Sequence, residues 1–490
     1  MQKAAIPSYP KPEGFCHGVS TDNDDDDSAT ATTSDFGTSS EGDHSEPQRF
    51  GEKDRSCCGF IRKVCTVMGP GLMACLADTD GPCLLTAAES GAQWDYSLLL
   101  LQLILIPILY AAQELTARLA LVRGAGMVAL LRMEVGPITA WLVSIPLLAT
   151  CILGLVSEYG IISQMMEYWG TPVWVSNLCI TAILIGVAAT GNYSVAERVG
   201  LVLGMCQVIF FATIFMAEPD WGDMAKGLIT FPIGNAGYAK LITANIGAVI
   251  MPWMLAYQQS ATCNKGIQIA SASESQIRDH LKWARLDTAS GSALTQGVMA
   301  AMLISVAAAR AQLGQSGTGS VDSVDGLVTL FTFILGGELQ SKVLLTFAII
   351  GACMVAAIVQ TLCAAWTFEQ AMGRATATEL PDCQEEPASP IQQVGRIACS
   401  RPLFYGSYVV VCGGAFIFTL VMKNAVDLSV WTEFCNGILM PPVIFSLWYL
   451  ASYKLPPKYQ LGCVYRWLLF FVFGVCSLFC LGSIYTTVAE

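Results

Sequence analysis

The sequence predicts an all-α polytopic membrane protein with about eleven transmembrane helices. Of its 490 residues, 54% are hydrophobic and 13% are charged, and the mean hydropathy is +0.54. Soluble domains carry about 25% charged residues, so this composition is typical of a membrane protein. Apolar stretches of about 20 residues, long enough to cross a bilayer as a helix, recur from residue 67 onward.

These stretches define the eleven predicted spans. They lie near residues 67–90, 96–120, 138–164, 173–191, 199–217, 240–262, 289–311, 343–371, 403–422, 432–452 and 462–486. The apolar stretch 324–336 is shorter than a span, and we expect an amphipathic helix there, outside the set of spans.

Residues 1–56 are predicted to be a disordered, acidic, cytosolic tail, and residues 57–490 the transmembrane domain. The tail contains the acidic run 22–27 followed by Ser/Thr/Gly-rich sequence, which is too polar to bury a core. Its acidity argues against a transit peptide, and it lacks the apolar stretch of a signal peptide. Cys57 and Cys58, just before the first span, are candidates for palmitoylation.

Lysine and arginine are concentrated in the connections on one side of the predicted spans. These residues are Arg118, Arg123, Arg132, Arg198, Lys265, Arg278, Lys282, Arg285, Arg374, Arg396, Arg401, Lys454 and Lys458. Because basic connections stay in the cytosol, we expect a cytosolic N-terminus and, after an odd number of spans, a C-terminus on the opposite side.

Two predicted spans are interrupted near their middles by polar and helix-breaking residues. The sixth span contains Met251, Pro252 and Trp253, and the first contains Asp78, Thr79, Asp80, Gly81, Pro82 and Cys83. An acid inside a span costs a few kcal/mol at the bilayer centre, so it marks a functional site. Two interrupted spans in one polytopic chain point to the substrate site of a transporter.

The positions of the interruptions predict an internal repeat. The two broken spans are five apart, which indicates two five-span repeats of inverted topology. We place the first repeat at about 67–217 and the second at about 240–452, with an extra helix at about 462–486.

The residues at the interruptions predict a cation site. Proline cannot continue a regular helix, and unwound backbone exposes carbonyls that line a cavity. Pro252 frees a carbonyl one turn earlier, near Ala248, and the Met251 thioether is close by in the chain. Together with Asp78 and Asp80 these groups offer oxygen ligands for Mg²⁺, Mn²⁺ or Ca²⁺, and sulfur favours softer transition metals.

The same residues carry a family resemblance. The stretch from Gly69 to Asp80, its continuation Glu89-Ser90-Gly91-Ala92, and the stretch from Gly247 to Pro252 resemble the first and sixth spans of the Nramp family of divalent-metal transporters. The likeness extends over about 60–486. It implies a LeuT-type fold of two inverted five-helix repeats and transport of divalent metal ions.

The resemblance also implies individual ligands. The family motif Asp-Pro-Gly-Asn places the metal-binding aspartate on Asp80 and the asparagine ligand on Cys83. The ligands of the sixth span fall on the Met251 sulfur and the Ala248 carbonyl. A glutamine of the tenth span falls near Glu433, with Asn436 one turn further on.

Several positions depart from the family pattern. Gly81-Pro82 reverses the Pro-Gly order, and the two histidines of the sixth span, the first of which serves the proton path, fall on Trp253 and Gln258. The two acidic positions of the third span fall on Leu155 and Glu158. This pattern resembles the divergent Nramp branch that includes magnesium transporters without proton coupling.

The histidine count points the same way. The three histidines, His17, His44 and His280, lie outside the predicted spans, so a proton relay has to run on carboxylates, with Glu158 as the main candidate. The alternative for Glu158 is a buried acid that is hydrogen-bonded to a neighbouring helix. Trp253, Glu158 and Asn436 are therefore assigned to the ion path, and Asp78, Thr79, Asp80, Cys83, Ala248, Met251 and Glu433 to the metal site.

We therefore expect a divalent-metal permease of the Mg²⁺/Mn²⁺ type with weak or absent proton coupling. The alternative is an ordinary proton-coupled Mn²⁺/Fe²⁺ symporter. An enzyme is disfavoured because no histidine lies in the spans. A transporter of amino acids or Na⁺ on the same fold is disfavoured because Asp78 and Asp80 would repel a carboxylate ligand. We expect no resident cofactor and no nucleic-acid partner, and a monomer in the lipid bilayer whose transported ligand is the divalent ion.

Overall fold

The structure is a computed structural model that describes residues 69–191, 193–232, 234–265, 273–313, 324–374, 401–421 and 425–489. The side chains of 425–427 and 485–489 are not described. The predicted tail, Cys57 and Cys58 lie outside the described residues. All secondary structure in the described residues is helical, which confirms the predicted class.

The first half of the chain forms nine α-helices. They are α1 (Pro70–Asp78), α2 (Gly81–Trp94), α3 (Leu99–Arg123), α4 (Met127–Glu134), α5 (Pro137–Glu167), α6 (Val173–Ala189), α7 (Tyr193–Gly204), α8 (Phe210–Met216) and α9 (Trp221–Gly227). A short 3₁₀ turn, Met205–Ile209, joins α7 to α8.

The second half forms eight α-helices in the described residues. They are α10 (Ala236–Val249), α11 (Pro252–Asn264), α12 (Glu274–Leu313), α13 (Val324–Leu335), α14 (Glu338–Ala371), α15 (Pro402–Thr419), α16 (Ala425–Tyr449) and α17 (Cys463–Ala489). A π turn, Leu450–Lys454, extends α16.

Nine helical segments of the described chain are long and apolar enough to cross a membrane. They correspond to nine of the eleven predicted spans. The predicted fourth span is the apolar helix α6, which has 17 residues. The predicted first span is divided into α1 with 9 residues and α2 with 14, so neither half reaches the full length by itself.

The predicted amphipathic segment forms the 12-residue helix α13. At 1.5 Å per residue it is about 18 Å long, too short for a span of about 30 Å. Its buried residues Val324, Leu327, Val328 and Phe331 follow the spacing of one helix face. This face packs against α8, α12 and α14.

The two breaks are shorter than the sequence indicates. Asp78 ends α1, Gly81 begins α2, and between them Thr79 and Asp80 are the two non-helical residues. Pro82 therefore lies in the first turn of α2, where its missing N–H has no helical partner to lose. Pro252 likewise begins α11, and Ile250 and Met251 separate it from α10.

The broken helices lie at the centre of the bundle. Helices α1 and α2 pack against the 40-residue helix α12, and α10 packs along α16. Helix α14 packs against α5 and α11. The two breaks are therefore enclosed by α5, α12, α14 and α16, and their polar residues are buried.

Candidate metal-binding site at the two helix breaks

Asp80 is oriented by the start of α2. Its backbone is extended, and its Oδ1 accepts a hydrogen bond from the Cys83 amide at 2.8 Å. Aspartate is favoured at a helix N-cap because its carboxylate satisfies one of the free amides of the first turn. The same geometry holds the Asp80 carboxylate in the first break.

Cys83 joins the two breaks. Its thiol donates a hydrogen bond to the Ala248 carbonyl, with a distance of 3.2 Å between Sγ and the oxygen. The last carbonyls of a helix lack intrahelical partners, and Ala248 lies in the last turn of α10. The carbonyl expected to be freed by Pro252 is therefore in direct contact with the residue that stands at the family's asparagine position.

Glu433 brings a second carboxylate to this point from α16. Ligand atoms of Asp80, Cys83 and Glu433 all lie within 4.8 Å of one another, and all three residues are buried. The Glu433 Oε2 accepts a hydrogen bond from the Asn436 amide at 3.0 Å. The two residues that the sequence placed in the tenth span are thus joined, and Glu433 reaches the first break.

A close approach of two helices sets the position of Glu433. A Cβ on Gly247 would lie 1.9 Å from the Glu433 carbonyl oxygen and 2.6 Å from the Gly437 amide nitrogen. A side chain at residue 247 is therefore incompatible with this separation of α10 and α16. The glycine allows the backbone that carries Glu433 to reach the break.

Asp78 adds a third acid at the end of α1. It is 1% exposed, and among the described residues neither carboxylate oxygen has a hydrogen-bond partner. A negative charge at a helix C-terminus is also opposed by the helix dipole. Its environment therefore favours either a proton or a nearby cation.

Glu158 on α5 lies beside the same break. Its Oε2 is 3.4 Å from the Gly81 amide at the start of α2, and its carboxyl interacts with that of Asp80. Cys353 on α14 contacts this carboxyl as well. Glu158 is therefore part of the acidic cluster itself.

The remaining predicted residues differ in their placement. Met251 is fully buried in the second break, where it precedes Pro252 as the N-cap of α11. The Thr79 hydroxyl is directed back to the Cys75 carbonyl at 3.4 Å. Trp253 is fully buried, and its carbonyl accepts a hydrogen bond from the Cys363 thiol at 3.1 Å.

The sequence reasoning did not identify a polar contact between α2 and α10. The Asn245 amide donates to the Ser90 hydroxyl at 2.8 Å and accepts from the Gln102 amide at 2.5 Å. Ser90 and Thr86 share the helix face of Cys83, at spacings of seven and three residues. This row of polar residues within an apolar span is the sequence feature that could have predicted the contact.

The acids at the two breaks are all buried. In the described part of the chain no lysine or arginine forms an ion pair with Asp78, Asp80, Glu158 or Glu433. Buried carboxylates without a counter-charge are strongly destabilising, so the cluster requires cations or protons. Carboxylates, a carbonyl and a thiol form a mixed ligand set for a divalent metal ion.

A family model described as natural resistance-associated macrophage protein-like, Nramp, matches residues 71–486. The match covers both breaks and all of the site described above. The chain belongs to the Nramp family. It is an integral multi-pass membrane protein, as the sequence predicted.

Curated relatives of this Nramp protein carry names of metal transporters. The divalent metal cation transporter MntH of Brucella suis is 24% identical over 275 residues, which are 55% of this chain and 59% of the relative. MntH 1 of Pseudomonas aeruginosa is 27% identical over 304 residues, which are 60% and 66% of the two chains. The alignments therefore span less than two thirds of these relatives.

Solved structures show the fold. A manganese transporter from Eremococcus coleocola superposes with a TM-score of 0.65 at 15% identity, covering 89% of each chain. An outward-open Na⁺-coupled sialic acid symporter superposes with a TM-score of 0.53 at 14% identity, covering 86% of this chain and 90% of the symporter. The LeuT-type fold with broken first and sixth spans is thereby confirmed. The repeat boundaries remain predictions.

Proposed function

We propose that this Nramp protein transports divalent metal cations of the Mg²⁺/Mn²⁺ type by alternating access, with weak or absent proton coupling. The observation that carries the proposal is the convergence of Asp80, Cys83 and Glu433 within 4.8 Å at the two breaks. Broken helices that meet near the bilayer midplane form the substrate sites of many transporters. The names of the curated relatives support the same substrate class.

The ligand set supports a preference for ions that bind oxygen. Asp80, Glu433 and the Ala248 carbonyl provide three oxygen positions, and Asp78 provides a third acid within electrostatic range. Mg²⁺ is held by carboxylates and keeps several of its waters, and Mn²⁺ accepts the same ligands. The Cys83 thiol broadens the site toward softer ions.

The sixth span supports weak proton coupling. Helix α11 contains no histidine, aspartate, glutamate, lysine or arginine between Pro252 and Asn264. At the position of the family's second histidine, Gln258 accepts a hydrogen bond from Thr116 at 2.8 Å and donates one to Thr288 at 3.3 Å. These partners are neutral, so this helix lacks a conventional proton carrier.

One observation favours the second candidate, a proton-coupled Mn²⁺/Fe²⁺ symporter. Glu158 and Asp80 are adjacent buried carboxyls. Two carboxyls at one site readily share a proton because both cannot be charged cheaply. A cation that binds Asp80 would expel that proton, and a path from Glu158 would couple the two fluxes.

Uptake into proteoliposomes distinguishes these functions. The purified protein is reconstituted, and uptake of Mn²⁺ and Mg²⁺ is followed together with internal pH. We expect uptake of both ions without matching acidification, and for Asp80→Ala a loss of at least about tenfold, the lower range for weakened metal sites. Asp223→Ala, at a highly exposed acid on α9, is the control.

The outcomes are separable. Acidification in fixed proportion to metal entry supports the symporter and rejects the uncoupled carrier. If neither Mn²⁺ nor Mg²⁺ is taken up, divalent-metal transport is rejected. Normal transport by Asp80→Ala rejects the site assignment even if transport itself is observed.

The same proposal includes the orientation and assembly of the chain. We infer that the basic connections face the cytosol and that the protein works as a monomer, since each chain contains the complete ligand cluster. No nucleic-acid partner and no resident cofactor are part of this function.

A further inference from the structure

We propose that Asp287 is a positioning residue that holds half-helix α1 closed against the bundle. Helix α1 ends at Asp78 and leads directly to Asp80, so its position sets the acidic side of the break. This role extends the proposed function by naming the contact that α1 breaks when the site opens at this end.

Asp287 contacts the first residues of α1 from the long helix α12. Its Oδ2 accepts hydrogen bonds from the Gly71 amide at 2.9 Å and the Gly69 amide at 3.2 Å. The side chain is buried, with 2% of the residue exposed. Because Gly69, the N-cap residue of α1, makes no side-chain cap, a carboxylate from another helix satisfies free amides of the first turn.

A buried ion pair lies at the same point. The Lys265 ammonium, just beyond α11, lies 3.0 Å from the Glu197 carboxylate on α7, and each side chain is 9% exposed. A Cβ on Gly69 would lie 2.1 Å from Glu197 and 2.6 Å from Lys265. Charged groups from α7, from α12 and from Lys265 after α11 therefore surround the start of α1.

The packing next to this contact leaves only a small gap. A small cavity at the start of α1 is lined by Gly71, Gln258, Lys265, Asp287 and Thr288. Helix α1 has 9 residues and is not continuous with α2, because Thr79 and Asp80 interrupt the two helices. In the proposed opening, α1 pivots at this break, and the Asp287 bonds break while α2 stays in place.

Cys75 provides a native reporter of that movement. It lies in α1, is fully buried, and faces α12 so closely that a Cβ on Gly291 would lie 2.6 Å from its sulfur. Separation of α1 from α12 would expose this thiol. Cys480 on α17 is also fully buried and does not lie on α1 or α12, so it serves as an internal control.

The experiment measures thiol alkylation at both cysteines. The full-length protein is reconstituted without added metal, treated with N-ethylmaleimide, and quantified by mass spectrometry of the peptides that contain Cys75 and Cys480. Loss of one charge-assisted hydrogen bond corresponds to about a tenfold change in an equilibrium, so Asp287→Asn should raise alkylation of Cys75 about tenfold. Alkylation of Cys480 should stay unchanged.

Two further variants complete the test. Gly71→Ala places a Cβ 2.5 Å from the Asp287 carboxylate, and it should raise alkylation of Cys75 in the same selective way. Asp279→Asn, at an exposed acid on the same helix, should leave both cysteines at the wild-type level.

The result that would overturn the proposal is equally definite. No rise at either cysteine in Asp287→Asn, or an equal rise at both, shows that Asp287 does not hold α1 specifically. This readout requires no transport, so it can fail while metal uptake is observed, and it can succeed while metal uptake is absent.

Discussion

Cys83 is the residue at which the site of this protein differs most directly from the usual family motif. Its thiol bridges to the Ala248 carbonyl and lies within 4.8 Å of ligand atoms of Asp80 and Glu433. A thiol binds a metal well only as the thiolate, and a bound cation favours its deprotonation. The residue therefore makes ion preference depend on how readily each ion displaces the thiol proton.

Replacement of Cys83 by asparagine tests this role. The change substitutes an amide oxygen for sulfur, so Cys83→Asn should lower uptake of Cd²⁺, a soft ion, relative to Mg²⁺ by about tenfold, or about 1.4 kcal/mol. The measurement is competitive uptake of the two ions into proteoliposomes. Cys480→Asn, at a buried cysteine outside the ligand cluster, is the control for a general effect of asparagine at a buried cysteine. An unchanged ratio would identify Cys83 as a packing residue.

At the scale of elements, the two breaks use the same device. In each, a proline lies in the first turn of the second half-helix. The residue just before that half-helix, Asp80 in the first break and Met251 in the second, has an extended backbone. The first half-helix then presents free carbonyls and the second presents free amides at one depth. Helix α16 completes the arrangement because Gly247 allows it to approach α10 closely.

Substitution of Gly247 by alanine tests this approach. The added Cβ would lie 1.9 Å from the Glu433 carbonyl, so α16 must move away. Overpacking of this kind costs about 1–3 kcal/mol, and we expect a lower apparent Tm in detergent and weaker Mn²⁺ binding. Gly413→Ala on α15, where a Cβ meets nothing within 4 Å, is the matched control. Equal Tm and Mn²⁺ affinity in Gly247→Ala and wild type would contradict the close-packing argument.

At the scale of the whole molecule, ion pairs connect distant parts of the chain at one end of the bundle. The Glu114 carboxylate on α3 pairs with Arg118 at 2.6 Å and with Arg285 of α12 at 3.0 Å. Arg118 also donates to the Tyr459 carbonyl at 2.9 Å, before α17. Helix α3 is thereby joined to α12 through Glu114, and to Tyr459, more than 300 positions further along the chain, through Arg118.

Neutralisation of this acid tests the connection. Glu114 is 3% exposed, so Glu114→Gln leaves Arg118 largely buried without its charged partner. The free energy of unfolding should fall by about 3 kcal/mol. We expect a clear decrease in apparent Tm. Asp223→Asn removes an exposed pair with Lys226 on α9 and should change Tm little, because exposed pairs contribute weakly. Similar Tm values for the two variants would show that the Glu114 network is not structural.

Several features of the site could be predicted because they are local in the chain. Asp78, Asp80 and Cys83 occupy one break, and Pro252 marks the second together with the Ala248 carbonyl. A proline and an acid within an apolar stretch identify such a break without any knowledge of neighbours. The exact limits of the first break were harder to predict. Proline is compatible with the first turn of a helix, so Pro82 belongs to α2 and the non-helical stretch is shorter than predicted.

Other features depend on contacts between distant segments. Glu433 entered only through the family resemblance, because nothing near it in the sequence indicates that α16 reaches the first break. Glu158 was predicted as a path residue from its position in the third span, and only the fold shows that it lies beside Asp80. Asp287 lies in a helix with several other polar residues, and no local pattern distinguishes it.

The sequence by itself determined the all-helical membrane class, the two broken spans and the chemical character of the site. These follow from hydropathy, from the conformational limits of proline and from the energy of burying an acid, which are all properties of short segments. The tertiary structure decided which side chains converge, because convergence depends on how helices pack across hundreds of residues. The cluster of Asp80, Cys83 and Glu433 and the Asp287 contact with α1 exist for that reason alone.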